Sequence, residues 1–371
     1  MASTISHIET FAADYPVAGH FKFFDSGRGP TAVRPTIVVK IVADDGTTGW
    51  GQAVPSQRWS YETPETVRST IDRYLAPELI GRDSSDLAGA HAAMNRAIAP
   101  SFSTGQPLAK AGIDLALHDL AGKATGRTVA ELWGRPPGGT VELSWTLNPQ
   151  TLDEVAGQIE IACQQGYRSF NVKVGNTVEA DLALCREVRR AAPQAFVWVD
   201  ANGGYDEASA LTIAPRLADL GIAAFEQPLP ANRLRGLRTL KRQGALPIVL
   251  DEPIVSRVDL EEFLGLGLLD GVTMKVSRCG GLFESLATMK LIEDSGLFWL
   301  GSGLTDPDIS LAASLVLFAA FGLERPAALN APQFLTTSIL KSPLAVTDAR
   351  CAVPTDPGLG VIVDESSLRD E

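Results

Sequence analysis

The first third of the chain alternates hydrophobic and polar residues in a way that predicts strands followed by helices. Residues 36–43 form a β-rich run, Asp44-Asp45-Gly46 supplies a turn, and 48–53 returns, which predicts a β-hairpin. Apolar residues then recur at helical spacing in three segments, 63–75, 86–99 and 107–124, and Gly126 provides a stop for the last. We therefore expect an α+β domain over residues 1–130.

The pattern changes after Pro136-Pro137-Gly138-Gly139 to short apolar runs that alternate with amphipathic helical stretches. There are eight such runs, at 141–147, 169–174, 196–200, 223–226, 248–251, 271–276, 298–301 and 327–330. Eight βα units over about 200 residues predict an α/β protein with a (β/α)₈ barrel. A Rossmann sheet is the alternative, but no glycine-rich fingerprint opens the first unit. We place the barrel at residues 137–340.

Charged residues close five successive runs of the predicted barrel. They are Lys173, Asp200, Glu226, Asp251 and Lys275, which follow one another at intervals of 24 to 27 residues. Each interval is about one βα unit, so the five side chains should line one rim of the barrel. Active sites of such barrels lie at the carboxyl ends of the strands. The five residues are therefore the candidate catalytic centre.

The types of residue at this rim indicate a metal-dependent reaction on a carboxylate. Three converging carboxylates repel one another unless a cation lies between them, and a purely oxygen ligand set favours Mg²⁺, with Mn²⁺ as a substitute. The alternative is that one or two of them pair with Lys173 or Lys275. The two lysines stand roughly opposite each other across an eight-stranded ring. Burial and a nearby cation would lower their pKa values, so either lysine could act as a base.

Composition and charge narrow the class of protein. The chain has 32 Lys and Arg against 44 Asp and Glu, a formal net charge of −12 that argues against nucleic-acid binding. No apolar run approaches the roughly 20 residues of a membrane span, and the N-terminus has no basic region typical of a secretory signal. Four scattered cysteines and these features predict a cytoplasmic protein acting on a small molecule. All four histidines lie at or before His118, so the later residues cannot form a histidine-based site.

Several longer motifs resemble those of the enolase superfamily, in its muconate-lactonizing-enzyme subgroup. The barrel motifs are FNVKVG (170–175), VDANGGY (199–205), FEQPLP (225–230), LDEP (250–253) and MKVSRCGG (274–281). Outside the barrel, GWGQAVP (49–55), AGIDLALHDLAGK (111–123) and DPGLGV (356–361) also match.

The resemblance implies a modified TIM barrel covered by the N-terminal α+β capping domain, to which residues 341–371 return. It also implies metal ligation by Asp200, Glu226 and Asp251, acid–base roles for Lys173 and Lys275, and a homo-oligomer. Asn202 matches a polar position beside the metal site of the family.

One residue departs from the pattern of the family. Its second strand usually carries Lys-x-Lys, whereas this chain has Asn171-Val172-Lys173. We expect this neutral amide to retune the substrate geometry while the base position is kept. The mandelate-racemase branch, which uses a His-Asp dyad on strands six and seven, is excluded because no histidine follows His118.

Substrate contacts are expected from two loops and from strands one, seven and eight. The loops are 19–29, which is aromatic with glycine hinges as in a closing lid, and 55–63, which carries Trp59 and Tyr61. Trp145 on strand one either packs in the core or stacks on a cationic substrate group. The other candidates, on strands seven and eight, are Ser302, Thr305, Asp306, Pro307, Asp308 and Asn330. Asp306 and Asp308 have an alternative role as a helix N-cap.

These features together predict Mg²⁺-dependent abstraction of the α-proton of a carboxylate, ending in racemisation or epimerisation. The aromatic and acidic walls favour an amino-acid-like or proline-type substrate. A dehydratase that expels a β-leaving group, or a cycloisomerase, could use the same site. More distant alternatives are a Schiff-base aldolase and an idle barrel used only for binding.

Overall fold

The computed structural model describes residues 3–24, 32–100 and 104–368, and an antiparallel sheet opens the chain. Its three strands are β1 (Ile5–Pro16), β2 (Val33–Ala43) and β3 (Thr48–Ala53), in that order. The predicted hairpin is present as β2 and β3, and β1, which the pattern did not predict, pairs along the free edge of β2. Ser3 and Thr4 fix the hairpin turn by donating to the Asp44 carboxylate.

Five helices cover this sheet and form the rest of the cap. They are α1 (Pro64–Thr70), which continues as a π-helical turn (Ile71–Leu75), α2 (Ala76–Leu79), α3 (Leu87–Ala97), α4 (Pro107–Thr125) and α5 (Val129–Leu132). Helix α4 is buried along most of its length and lies directly on β3. A Cβ at Gly51 would sit 1.9 Å from the carbonyl oxygen of Gly112, so this close approach requires glycine. As predicted, α4 ends at Gly126, whose φ is 65°.

The barrel is a curled parallel sheet rather than eight equal strands. The parallel strands are β5 (Trp145–Leu147), β6 (Ser169–Lys173), β7 (Phe196–Asp200), β8 (Phe225–Glu226), β9 (Ile248–Leu250), β10 (Gly271–Met274) and β11 (Phe298–Gly301). The eighth predicted run contributes only single bridges, from Ala327 to Leu143 and from Ala328 to Ser302. These bridges link the two edge strands, so the sheet is a modified TIM barrel.

Helices alternate with these strands on the outside of the barrel. They are α6 (Glu154–Gln164), α7 (Val178–Ala191), α8 (Glu207–Asp219), α9 (Leu234–Gln243), α10 (Arg257–Gly265), α11 (Leu282–Ser295), α12 (Asp308–Ala320) and the short α13 (Ala331–Phe334). The predicted first run, 141–147, is interrupted. Its start, β4 (Thr140–Glu142), pairs instead with β13 (Arg350–Ala352), which pairs in turn with β12 (Val346–Thr347). No helix in the described part of the chain is long and apolar enough to cross a membrane.

The interior of the barrel explains why the strand-end charges meet. One buried cluster consists of Trp198, Ala224, Val249, Leu300 and Ala328. Side chains two residues apart on a strand share a face. Asp200, Glu226 and Asp251 each follow a member of this cluster by two residues, so their carboxyl groups lie directly above it.

Contacts of the C-terminal segment and of helix α4 connect the cap with the barrel. The main-chain N–H of Leu359 donates to Asp119 Oδ1 at 2.9 Å, and Lys40 pairs with Glu365 at 2.6 Å. Asp114 of α4 accepts hydrogen bonds from the main-chain N–H of Leu282, at the start of α11, and from His91 at 2.6 Å. These buried polar contacts hold the cap over one end of the barrel.

Candidate active site

The strand-end lysines and aspartates lie in direct contact above the barrel core. Lys173 Nζ donates to Asp200 Oδ2 at 2.6 Å, and Lys275 Nζ donates to Asp251 Oδ2 at 2.5 Å. Both aspartates are buried, and so is the Lys275 side chain. The strand order places β7, β8 and β9 between β6 and β10, so the two lysines approach from opposite sides. Glu226 is next to Asp200 in the sheet register.

Burial and mutual repulsion set the electrostatics of the carboxylates. Burial first, and then the charges of Asp200 and Asp251, raise the pKa of Glu226 to about 8. Trp198 Nε1 donates to Glu226 Oε2 at 2.8 Å and fixes its orientation. Burial would lower the pKa of Lys275, but Asp251 and the other carboxylates outweigh burial and raise it above its ordinary value. The lowered pKa predicted for this lysine therefore requires the positive charge of a bound cation.

The donor set suits a hard divalent cation. Asp200, Glu226 and Asp251 offer only oxygen ligands from three adjacent strand ends. Burial, and then the charges of the other two carboxylates, raise the pKa of Glu226, and a bound cation would offset both effects. Among residues 3–24, 32–100 and 104–368, no three acidic, histidine or cysteine side chains are gathered as a ready ligand cluster. Asp200 and Asp251 instead form ion pairs with Lys173 and Lys275. This pairing is the alternative to metal ligation that the sequence analysis considered. A cation would take the place of these ammonium groups.

Three further residues of this centre were missed by the sequence analysis. Arg278 is fully buried and donates to the second oxygen of Asp251 and to the main-chain oxygen of Thr273. Burial and the charge of Asp251 raise the pKa of Glu252 to about 8. Trp198 is the third. Two of them could have been predicted from the sequence, because Glu252 directly follows Asp251 and Trp198 lies two positions before Asp200 on the same strand face.

A cavity opens next to Lys173 and Lys275 and is covered by aromatic residues of the cap. Phe21, Phe23, Phe24 and Trp59 line it, and Lys275 Nζ lies 4.8 Å from the centre of the Trp59 ring. The predicted lid loop thus reaches the site through residues 21–24, whereas its residues 25–29 lie outside the described part of the chain. Tyr61 does not line this cavity. The residue is 64% exposed, and its hydroxyl donates to the main-chain oxygen of Thr104 at 3.5 Å.

The polar candidates that line the same cavity are Asn171, Asn202, Ser302, Thr305 and Asn330. The main-chain N–H of Asn202 donates to Asp200 Oδ1 at 2.8 Å, and its side chain donates to Glu252 at 3.3 Å. Asn202 therefore lies beside the carboxylates. Asn171 is buried, and the structure gives no hydrogen-bond partner to either atom of its amide.

Trp145 does not line the described cavity. Its ring meets Tyr167 edge-on, with centroids 5.1 Å apart, and packs against the core between barrel and helices. The neighbouring Thr146 lines the cavity instead. Of the two roles considered for Trp145, the structure shows packing in the core. Adjacent strand residues face opposite sides of the sheet, and Trp145 is on the side away from the cavity.

Asp306 and Asp308 do not line the cavity, and neither caps a helix through its side chain. Asp306 accepts from Ser277 at 3.2 Å. Asp308 accepts from Tyr15, from Ser338 and from the main-chain N–H of Ile339. The N-cap of α12 is Pro307, which has no side-chain hydrogen bond, so the capping interpretation is wrong. The acidic wall expected from these residues is likewise absent from the lining of the cavity.

Comparison with known proteins matches both parts of the chain to family models. Residues 154–367 match the enolase C-terminal domain-like model, and residues 24–134 match the mandelate racemase / muconate lactonizing enzyme N-terminal domain. The chain is 32% identical to the chloromuconate cycloisomerase of Cupriavidus necator, over 91% of this chain and 92% of that protein. It is 27% identical to muconate cycloisomerase 1 of Rhodococcus opacus, over 99% and 98%.

Solved structures show the same similarity in three dimensions. The muconate lactonizing enzyme of Pseudomonas fluorescens, in complex with muconolactone, superposes with a TM-score of 0.90 at 29% identity, and the match covers 100% of both chains. The 2-chloromuconate cycloisomerase of Rhodococcus opacus also gives 0.90, at 27% identity and over 99% and 98% of the two chains. The chain therefore belongs to the muconate-lactonizing-enzyme subgroup of the enolase superfamily.

Proposed function

We propose that the protein is a metal-dependent isomerase that removes the α-proton of a carboxylate substrate and returns it, with racemisation or epimerisation as the outcome. The observation that carries this proposal is the pair Lys173 and Lys275. Both line one cavity, each touches a candidate metal ligand, and they approach from opposite sides of the barrel. A proton transfer that inverts one carbon needs a base on one face and an acid on the other.

The roles of the residues follow from their positions. Asp200, Glu226 and Asp251 would hold Mg²⁺, or Mn²⁺ as a substitute, which when bound would withdraw electron density from the substrate carboxylate and make the α-proton more acidic. One lysine, neutral, takes the proton from the near face. The other, as an ammonium group, donates a proton to the opposite face. Trp59 and the phenylalanines of residues 21–24 exclude water from the reacting carbon.

A second candidate is cycloisomerisation on the same site, and the relatives favour it. Their names describe muconate and chloromuconate cycloisomerases. A cycloisomerase closes or opens a ring, here beside the carbon that would gain or lose the proton. Such a reaction needs one lysine to transfer a proton, whereas racemisation needs both. The alternatives therefore differ in what each lysine must do.

The direct test is proton NMR in D₂O with Mg²⁺ and pools of carboxylic acids. The pools would contain amino acids, N-acyl amino acids, hydroxyprolines and their betaines, sugar acids and cis,cis-muconate. Loss of an α-proton signal with the carbon skeleton intact is the expected result. A lactone formed from muconate would establish the cycloisomerase, and a new vinyl or keto product would establish a dehydratase. No exchange in any pool, with metal shown to be bound, would overturn the proposal.

A further inference from the structure

The formal charges in the cavity are confined to one side. Of the described residues that line it, only Lys173 and Lys275 are charged, and both lie against the carboxylates of β7 and β9. The wall formed by β5, by the first part of β6 and by the residues after Ala328 is uncharged. Three of its polar residues are Thr146, Asn171 and Asn330, which we call the neutral subsite.

Asn171 is the most informative residue of the neutral subsite. It lies two positions before Lys173 on β6, so its side chain shares the cavity face with that lysine. Its exposed fraction is 1%, and neither its Oδ1 nor its Nδ2 has a hydrogen-bond partner. A buried polar atom without a partner costs about 1–3 kcal/mol. An amide in a cavity whose oxygen and nitrogen both lack partners suits a ligand group that can both donate and accept hydrogen bonds.

Asn330 and Thr146 extend the same surface. Thr146 is the register partner of Asn171, and Asn330 Nδ2 donates to Thr146 Oγ1 at 3.3 Å. Asn330 Oδ1 is buried without a partner. Gln333 fixes this strand end, because its side chain accepts from the main-chain N–H of Thr146 at 3.0 Å and donates to its carbonyl at 2.9 Å. The subsite is therefore held in place before a ligand arrives.

We infer that the neutral subsite binds an uncharged hydroxyl or amide group of the substrate, close to the carbon that loses its proton. The inference rests on the proposed function, which places the substrate carboxylate at the metal end of the cavity. A second carboxylate would be buried against Thr146, Asn171 and Asn330, none of which is charged. The cations nearest to them, Lys173 and Lys22, lie towards Asp200, with which Lys173 is already paired, and a buried charge without a partner of its own is costly. The preferred substrate is thus a monocarboxylate with a neutral hydrogen-bonding group.

Binding measured by calorimetry tests this inference separately from catalysis. The Mg²⁺-loaded protein is titrated with two matched pairs: 3-hydroxyproline against proline, and glutamine against glutamate. The subsite predicts that 3-hydroxyproline binds about tenfold more tightly than proline, the gain from one added hydrogen bond. It also predicts that glutamine binds at least about tenfold more tightly than glutamate, because the two differ only in an amide against a carboxylate.

Two variants connect these ratios to the subsite. Asn171→Leu removes both free amide atoms and should bring the ratio for 3-hydroxyproline against proline to within about twofold of unity. The preference for glutamine over glutamate should remain, because the wall is still uncharged. Thr146→Val keeps the shape of the side chain and removes the hydroxyl that orients Asn330, so it should also reduce the ratio for 3-hydroxyproline against proline. This variant tests the same point if Asn171→Leu fails to fold. Asn232→Leu, on an exposed loop, is the matched control and should leave both ratios unchanged.

The outcomes separate this inference from the proposed function. Glutamate binding as tightly as glutamine would overturn the inference, and so would binding by none of the four acids. An unchanged ratio for 3-hydroxyproline against proline in both Asn171→Leu and Thr146→Val would also overturn it. Proton NMR in D₂O on the same samples reports α-proton exchange. Selective binding without exchange for any acid would contradict the proposed function and leave the neutral subsite supported.

Discussion

Glu62 offers a prediction that links the pH dependence of stability to the loop over the active site. Its two carboxylate oxygens accept hydrogen bonds from the main-chain N–H groups of Leu108 and Ala109, at 2.8 and 2.9 Å, where helix α4 begins. The same loop places Trp59 against Lys275. Burial raises the pKa of Glu62 from 4.5 to about 7, because these hydrogen bonds offset only part of the cost of burying the charge.

The sign and size of the effect follow from this pKa. Folding raises the pKa of this carboxyl group, so the folded state favours its protonated form. The resulting stabilisation is complete at pH values below the pKa of the unfolded chain. That contribution is lost as the pH rises from about 4.5 to about 7, and it corresponds to roughly 3 kcal/mol. Glu62→Gln removes the titration. The free energy of unfolding of the variant, relative to the wild type, should therefore rise by about 3 kcal/mol between pH 4.5 and about pH 8.

Urea denaturation across this pH range measures the difference directly. The variant also loses an acceptor for one main-chain N–H group, which shifts its stability by a constant, so the slope with pH is the test. Glu131→Gln is the matched control. Glu131 also caps a helix, but it is exposed, and its hydrogen bonds from Thr128 lower its pKa, so its contribution is lost only as the pH falls. Equal slopes for the wild type and Glu62→Gln would refute the reasoning.

Three further predictions concern the catalytic centre and the cap. Arg278→Met should lower the free energy of unfolding in urea by about 3–5 kcal/mol, because Asp251 loses a buried charged partner; an unchanged midpoint would contradict this. Burial raises the pKa of Asp114, but the nearby His118 outweighs burial and holds this pKa well below its ordinary value. The wild type should therefore lose stability as the pH falls below about 4, and Asp114→Asn should reduce that loss. Millimolar Mg²⁺ should raise the melting temperature of the wild type, a chelator should reverse the rise, and Glu226→Gln should show neither effect.

The pattern of strand-end charges was predictable because two simple regularities coincide. The period of one βα unit places Lys173, Asp200, Glu226, Asp251 and Lys275 on successive strands, and active sites of barrels lie at the carboxyl ends. The structure brings four of them together in two ion pairs and places Glu226 beside Asp200. The family follows from the same motifs and is confirmed by the matched relatives.

Side-chain direction near loops was not predictable from the same evidence. The run 141–147 breaks after Glu142, so the alternation that puts Thr146 inside and Trp145 outside cannot be counted from its start. Thr305 and Asp308 have φ values of 57° and 42°, a left-handed backbone that the sequence pattern did not predict, and neither Asp306 nor Asp308 lines the cavity. The partner of Asp308 on the cap is Tyr15, 293 positions earlier in the chain, a contact that no local pattern contains.

The central claim is that Lys173 and Lys275 serve opposite faces of one carbon, and stereospecific proton exchange tests it most directly. The two enantiomers of the accepted substrate are incubated separately in D₂O with Mg²⁺ and with Lys173→Met or Lys275→Met. Each variant should still exchange the α-proton of one enantiomer, without inversion, and the two variants should act on opposite enantiomers. Exchange of the same enantiomer by both variants, or inversion by either one, would contradict the account.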